Sequence, residues 1–174
     1  MSFNAHSTGK MWEAGWFLLH DEECTRLTKT IPANHAQVKT ADNGSKYVPM
    51  GTIFPSNDAN AIGIVYENID VSTGDMAGSV VTAGTVYLDR LPEAVDTYST
   101  ATVPSGGNPK TLGLYERSGS SPNYVYTLTT DTTAANGKTY YSYDGKKIAS
   151  AAQTALEGLG FKFIDSVPTV TRPY

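Results

Sequence analysis

One cysteine in 174 residues, Cys24, leaves no pair for an intrachain disulfide. The fold is therefore expected to hold without covalent staples, as suits a chain made in a reducing cytoplasm. Charge is also scarce: Asp, Glu, Lys and Arg make up 17% of the chain, with a net charge of −4. A surface for DNA or RNA needs clustered Lys and Arg to displace counterions from phosphates. Here the 13 basic residues are scattered, with Lys146–Lys147 and Arg26 near Lys29 as the only tight groupings. Nucleic acid is excluded as an expected partner. Apolar runs are as short as Trp16–Leu19, far below the ~20 residues that span a bilayer, so no membrane partner is expected. Trp12, Glu13 and His20 stand where a secretory signal would hold an unbroken apolar stretch, and no signal peptide is read there.

Catalytic signatures are missing as well. The Gly-x-Ser-x-Gly turn of a serine hydrolase is absent. Ser7-Thr8-Gly9-Lys10 lacks the first glycine, the preceding strand and the following hydroxyl of a phosphate loop. His20, Glu23 and Cys24 are the only local metal candidates, with 20 and 24 sharing a face if the segment is helical. A metal needs three or four converging ligands, and the other histidines, His6 and His35, are distant in sequence. No signature of a base accompanies Cys24 as a nucleophile. Asp70, Asp75, Asp89 and Glu93 sit at turns and strand ends, where carboxylates serve local backbone hydrogen bonds. Asn43-Gly44-Ser45 matches a glycosylation sequon but reads as a turn. The expectation is a protein without cofactor, metal or catalytic residues, not an enzyme.

What is abundant is Gly, Ser, Thr and Tyr, which favours strands and turns over long helices. Residues 1–40 show neither period clearly and read either as an extended N-terminal arm whose apolar residues something else buries or as a stretch wrapped around its own core. A short helix around Asp21–Leu27 is suggested by acidic residues early and Arg26 late. In 41–96, three short strand patterns recur about every ten residues: Tyr47–Phe54, Ala61–Tyr66 and Gly78–Leu88. Gly63 and Gly84 fall inside two of them and mark a bulge or a close backbone approach. Residues 97–145 hold seven of the 11 tyrosines and the turn signal Asn136-Gly137; they read as a β-hairpin insertion. Tyrosines on such a hairpin serve either its own cross-strand packing or an outside contact. From 146 to 174 the core resumes: Ile148, Ala152, Ala155, Leu156 and Leu159 follow one buried helical face. Gly158 and Gly160 stop that helix, and Phe161–Ile164 alternates as a strand.

The order of these segments carries a resemblance. Lys46–Thr52 followed by Ala61-Ile62-Gly63-Ile64-Val65, then Ile69–Gly78, then Val80–Leu88 closing at Leu91-Pro92-Glu93-Ala94, resembles tailed-phage head decoration proteins and head fibre proteins. The Ala-rich helix and final strand at 146–165 resemble the end of those families, while the long insertion departs from many of them. Tyr115-Glu116 and Thr129–Tyr141 resemble a Tyr- and Thr-rich element of phage structural proteins. The resemblance implies a mainly β fold with one short C-terminal helix, a small barrel or tulip-like decoration core carrying the inserted hairpin. It implies a virion protein on the outer capsid surface, a homotrimer bound to the major capsid protein. Residues 1–40 become a docking arm through Trp12, Trp16, Phe17 and Leu18. The insertion becomes an outward face through Tyr115, Tyr124, Tyr126 and Tyr141, for which a host surface glycan is the possible partner.

Overall fold

The computed structural model describes residues 13–164. The chain is mainly β, with strands β1 (Thr25–Ile31), β2 (Lys39–Thr40), β3 (Lys46–Val48), β4 (Ile53–Phe54), β5 (Gly63–Val65), β6 (Ile69–Asp70) and β7 (Met76–Tyr87). Then come β8 (Val95–Ala101), β9 (Tyr115–Ser120), β10 (Asn123–Leu128), β11 (Tyr140–Lys147), the helix α1 (Ser150–Gly158) and β12 (Phe161–Ile164). Two compact units result: one of residues up to Val95 and from Lys147 onward, the other of Asp96–Lys146.

The first unit is organised by β7. Its first two thirds pair antiparallel with β1, from Thr25 opposite Ala83 to Ile31 opposite Met76. Its middle pairs antiparallel with β5, and β5 with β4. Its last four residues pair in parallel with β12. Neighbouring residues of the central strands face opposite ways, as strand geometry requires. Ile53, Ile64 and Val81 enter a cluster with Phe17, Leu18, Val86, Leu88, Ile148, Ala152, Leu156 and Phe161. Phe54, Val65 and Val80 enter a second cluster with Ile31, Val48, Ile69 and Val71. That double burial explains the adjacent apolar pairs Ile53-Phe54, Ile64-Val65 and Val80-Val81, since a strand covered on both faces loses the polar-apolar alternation. The small sheet β2-β3-β6 contributes Val48 and Ile69 to the second cluster, and α1 contributes Ala152 and Leu156 to the first.

Gly63 shows why the strand pattern tolerates a glycine. A Cβ there would lie 2.3 Å from the Val81 carbonyl oxygen and 2.5 Å from Val80 Cγ1, so only hydrogen lets β5 lie against β7. The register slip between Thr25 and Arg26 marks a bulge in the β1–β7 pair that leaves Thr82, two residues before Gly84, without a partner residue opposite. Gly84 itself faces Leu18 and Cys24.

Four expectations are corrected. Residues 13–40 are no arm. Leu18 bridges Val86, the Leu19 N–H donates to the Thr85 carbonyl (2.8 Å), and the Tyr87 N–H donates to the Phe17 carbonyl (2.9 Å). The segment therefore pairs with the end of β7 and buries Phe17 and Leu18 in doing so. The helix at 21–27 reduces to a 3-10 turn over Asp21–Glu23, because Thr25 onward is taken up as a strand of the main sheet. No sheet among the described residues closes into a barrel: the order β1-β7-β5-β4 ends in a charged strand on one side and a two-residue strand stopped by Pro55 on the other. Leu159, read as part of the buried helical face, is exposed just past the end of α1.

The second unit is a four-stranded sheet of order β10-β9-β11-β8, larger than the hairpin expected. β9 and β10 do form a hairpin, from Ser120 opposite Asn123 to Tyr115 opposite Leu128. Tyr141 faces Tyr115 from β11. β8 completes the sheet from the start of the unit, with the Thr97 hydroxyl donating to the Gly145 carbonyl at 2.8 Å.

Candidate functional site

Period-two alternation sorts the second unit's residues onto two faces. On one lie Tyr124 and Tyr126 of β10, Tyr115 and Arg117 of β9, Tyr141 and Tyr143 of β11, and Tyr98 of β8. Tyr98 and Tyr126 are stacked, with ring centroids 3.9 Å apart and planes 7° from parallel. Tyr115 meets Tyr98 edge-on at 5.1 Å, and Tyr141 meets Tyr126 edge-on at 5.3 Å. Tyr143 leans on Tyr98 at 5.4 Å. Such offset and edge-to-face pairs exceed their area burial by about 0.5–1.5 kcal/mol each, so the cluster stiffens a thin sheet. Arg117 extends it: its guanidinium lies 4.2 Å over the Tyr124 ring and 5.0 Å from that of Tyr141. Tyr143 donates its hydroxyl to Asp96 at 3.0 Å. Burial, followed by that bond to a carboxylate, pushes its phenol up to about 12.

The opposite face carries a polar knot. Lys138 Nζ lies 2.8 Å from both Glu116 Oε1 and Asp131 Oδ2. Tyr140 donates to the same Asp131 oxygen at 2.6 Å, and the Thr129 hydroxyl donates to Glu116. Hydrogen bonds from Lys138, then from Tyr140, hold the Asp131 carboxyl below its ordinary range; those from Lys138 and Thr129 do the same for Glu116. Lys138 is raised in turn by Asp131 and then Glu116. An ammonium fixed by two carboxylates is a poor nucleophile, and the knot ties the 129–138 loop to β9.

The four residues read as outward contacts divide. Tyr124 is exposed, Tyr115 and Tyr126 are half-buried within the ring cluster, and Tyr141 is buried. The sheet brings all four to one face. Tyr98, Tyr143 and Arg117 join them there and were absent from the site read in the sequence. The spacing of Tyr115 and Arg117 on one strand was the signal that could have placed the arginine.

The four docking residues divide differently. Trp12 lies outside the described residues. Phe17 is fully buried and Leu18 nearly so, which withdraws both from any partner. Trp16 is partly exposed, but the Arg90 guanidinium sits 3.8 Å over its ring and 4.4 Å over that of Tyr87. Arg90 also donates to the Trp16 carbonyl, so the indole is clamped to the turn after β7.

Elsewhere, the Cys24 thiol donates to the Asp21 carbonyl at 2.9 Å, and burial raises its pKa, with Arg26 opposing. It is held as a thiol, the reverse of an activated cysteine. Asp21 instead accepts from the Tyr66 hydroxyl at 2.9 Å, beneath Arg26, whose guanidinium lies 4.3 Å over the Tyr66 ring. No group of three or more His, Cys, Asp or Glu among the described residues converges as a metal site. No helix among them is long and apolar enough to cross a membrane. One buried acid stands out: Glu93 accepts from the Ile53 N–H at 2.6 Å. Burial raises its pKa, against the pull of that bond and of His35.

No protein-family model, curated protein or solved structure matches the chain.

Proposed function

We propose that this chain is a tailed-phage capsid decoration protein: a non-enzymatic, trimeric module, made in the host cytoplasm, that binds major capsid proteins on the outer head surface and clamps neighbouring copies. The observation that carries the reading is the way the resembling segments assemble. Residues 45–95 and 146–165, which carry the resemblance to the core, lie far apart in sequence, yet all but Lys146 belong to one unit around β7, while the insertion read at 97–145 falls within a unit of its own, Asp96–Lys146. A decoration core with an independent insertion has that organisation. Clamping needs no chemistry, because several weak contacts made at once by a trimer reach an avidity no single contact supplies. Docking through Phe17 and Leu18 is dropped from the reading, since both are core residues. The test is co-sedimentation of the purified protein with expanded, undecorated capsids. The expected result is saturable binding to the shell; protein left in the supernatant at every ratio sinks the proposal.

A second reading, adhesion to a host surface glycan through the second unit, is favoured by Arg117 and the exposed Tyr124 at the rim of a stacked tyrosine face. Rigid rings with adaptable hydroxyls suit sugar recognition. Tyr124→Ala and Tyr126→Ala are expected to abolish signals on a glycan array; unchanged signals make the tyrosines purely structural. The two readings are compatible in one protein.

A further inference from the structure

The sheets of this chain end in edge strands, and those longer than two residues differ in one respect. β1 carries Arg26 and Lys29, β8 carries Asp96, and β12 carries Lys162. A charge on an edge strand is costly to bury against another chain, which is how natural sheets avoid unwanted pairing. β10 ends the second unit's sheet, and its sequence Asn-Tyr-Val-Tyr-Thr-Leu has no charge, no proline and no glycine. Its apolar side chains are also left open: Tyr124 is 39% exposed, Leu128 57% and Val125 58%. A strand hydrogen-bonded on one side only still offers alternate N–H and C=O groups on the other.

We propose that β10 is a homotypic pairing edge, occupied by β10 of a second copy running antiparallel about a two-fold axis. Four strands from each copy then form one continuous sheet. The argument for a second copy is self-complementarity. Residues opposed across an antiparallel ladder project to the same side, so Tyr124, Tyr126 and Leu128 must oppose members of the same set. Two registers do this about a two-fold while pairing five of the six residues of β10. One sets Tyr126 against Tyr126, Tyr124 against Leu128 and Val125 against Thr127; the other sets Val125 against Val125, Tyr124 against Tyr126 and Asn123 against Thr127. Along both, every opposed pair is neutral, so no like charges meet, and the tyrosines find aromatic or apolar counterparts. The tyrosine face becomes continuous across the axis. Six residues a side is well under the 20–30 of a standard interface, so the pairing is reversible and belongs to high local concentration. The inference is independent of what the first unit binds.

The experiment is sedimentation velocity on the full chain from about 10 μM to about 1 mM, the range in which an interface of this size is populated. It is run beside Val125→Lys/Thr127→Lys, which sets lysine opposite lysine in both registers. Both positions are exposed, and circular dichroism and the urea midpoint check that the variant keeps its fold. The wild-type protein is expected to double its starting mass, whether that is one chain or a trimer built through the first unit. The lysine variant is expected to stay at the starting mass throughout. A wild-type protein that never doubles, or a folded lysine variant that doubles in parallel with it, overturns the proposal.

Discussion

Phe17→Ala measures how firmly the segment before β1 belongs to the core. The ring is fully buried in the cluster that holds Val86, Leu88 and Leu156. A buried phenylalanine hides roughly 150–250 Å², which at about 25 cal/mol per Å² is an upper figure of about 4–6 kcal/mol. Truncations of this kind cost about 3–5 kcal/mol once the cavity is included. The Tyr87 N–H bond to the Phe17 carbonyl is a backbone interaction and survives the change. Against a domain stability of about 5–15 kcal/mol, the loss is at least about a fifth. In urea, with a slope near 2 kcal/mol per molar, the midpoint falls by about 1.5–2.5 M, read by tryptophan fluorescence because Trp16 is the adjacent residue. Leu19→Ala is the comparator. Leu19 is 38% exposed, and its truncation is expected to cost under about 1 kcal/mol. A Phe17→Ala shift no larger than that of Leu19→Ala refutes the placement and restores the arm.

Four further outcomes test separate parts of the physics. Gly63→Ala drives a methyl group into the Val81 carbonyl and is expected to lower stability by about 2 kcal/mol or more through strain between β5 and β7. Gly158→Ala meets nothing within 4 Å and is expected to raise it by about 0.5–1 kcal/mol through helix propensity; urea midpoints read both. Glu93 has a folded pKa above its unfolded value because it is buried, so its stabilisation is full below the unfolded value and is lost as pH rises through the folded one. Glu93→Gln keeps an acceptor for the Ile53 N–H and is expected to flatten the stability decline that sets in as pH rises above the ordinary glutamate range; a wild-type slope in the variant contradicts it. Asp96→Asn removes the carboxylate that Tyr143 bonds, and the Tyr143 phenol, pushed up to about 12, is expected to titrate at lower pH in a tyrosinate absorbance titration.

The strands legible in the sequence are those whose apolar residues decide the pattern. Ile64-Val65 and Val80-Val81 announce β5 and the middle of β7 because both faces are buried. The helix shows itself through Ile148, Ala152 and Leu156. β1 stays hidden because Thr25–Ile31 is mostly exposed, with only Ile31 buried. Its acidic-to-basic charge order imitated a helix when a three-residue turn satisfies it as well. Phe17 and Leu18 were invisible as core because one bridge and a few hydrogen bonds hold them, with no repeat to detect. At the candidate site the tyrosines were plain, but their common face was not. It depends on β8 and β11 arriving from the two ends of the insertion to flank the hairpin, a pairing that separation in sequence conceals.

That arrangement of β8 and β11 has a consequence for how such a chain can change. The second unit begins and ends on neighbouring strands, tied together by Thr97 and Gly145. Its two points of attachment to the rest of the chain are therefore side by side, as the leads of a plug are. A plug of that kind can be lengthened, exchanged for another or reduced to a short turn between Val95 and Lys147 without altering the pairing of β7 with β1, β5 and β12. Selection acting on the second unit then leaves the first free to stay constant, and foreign sequences can be grafted at the same two residues.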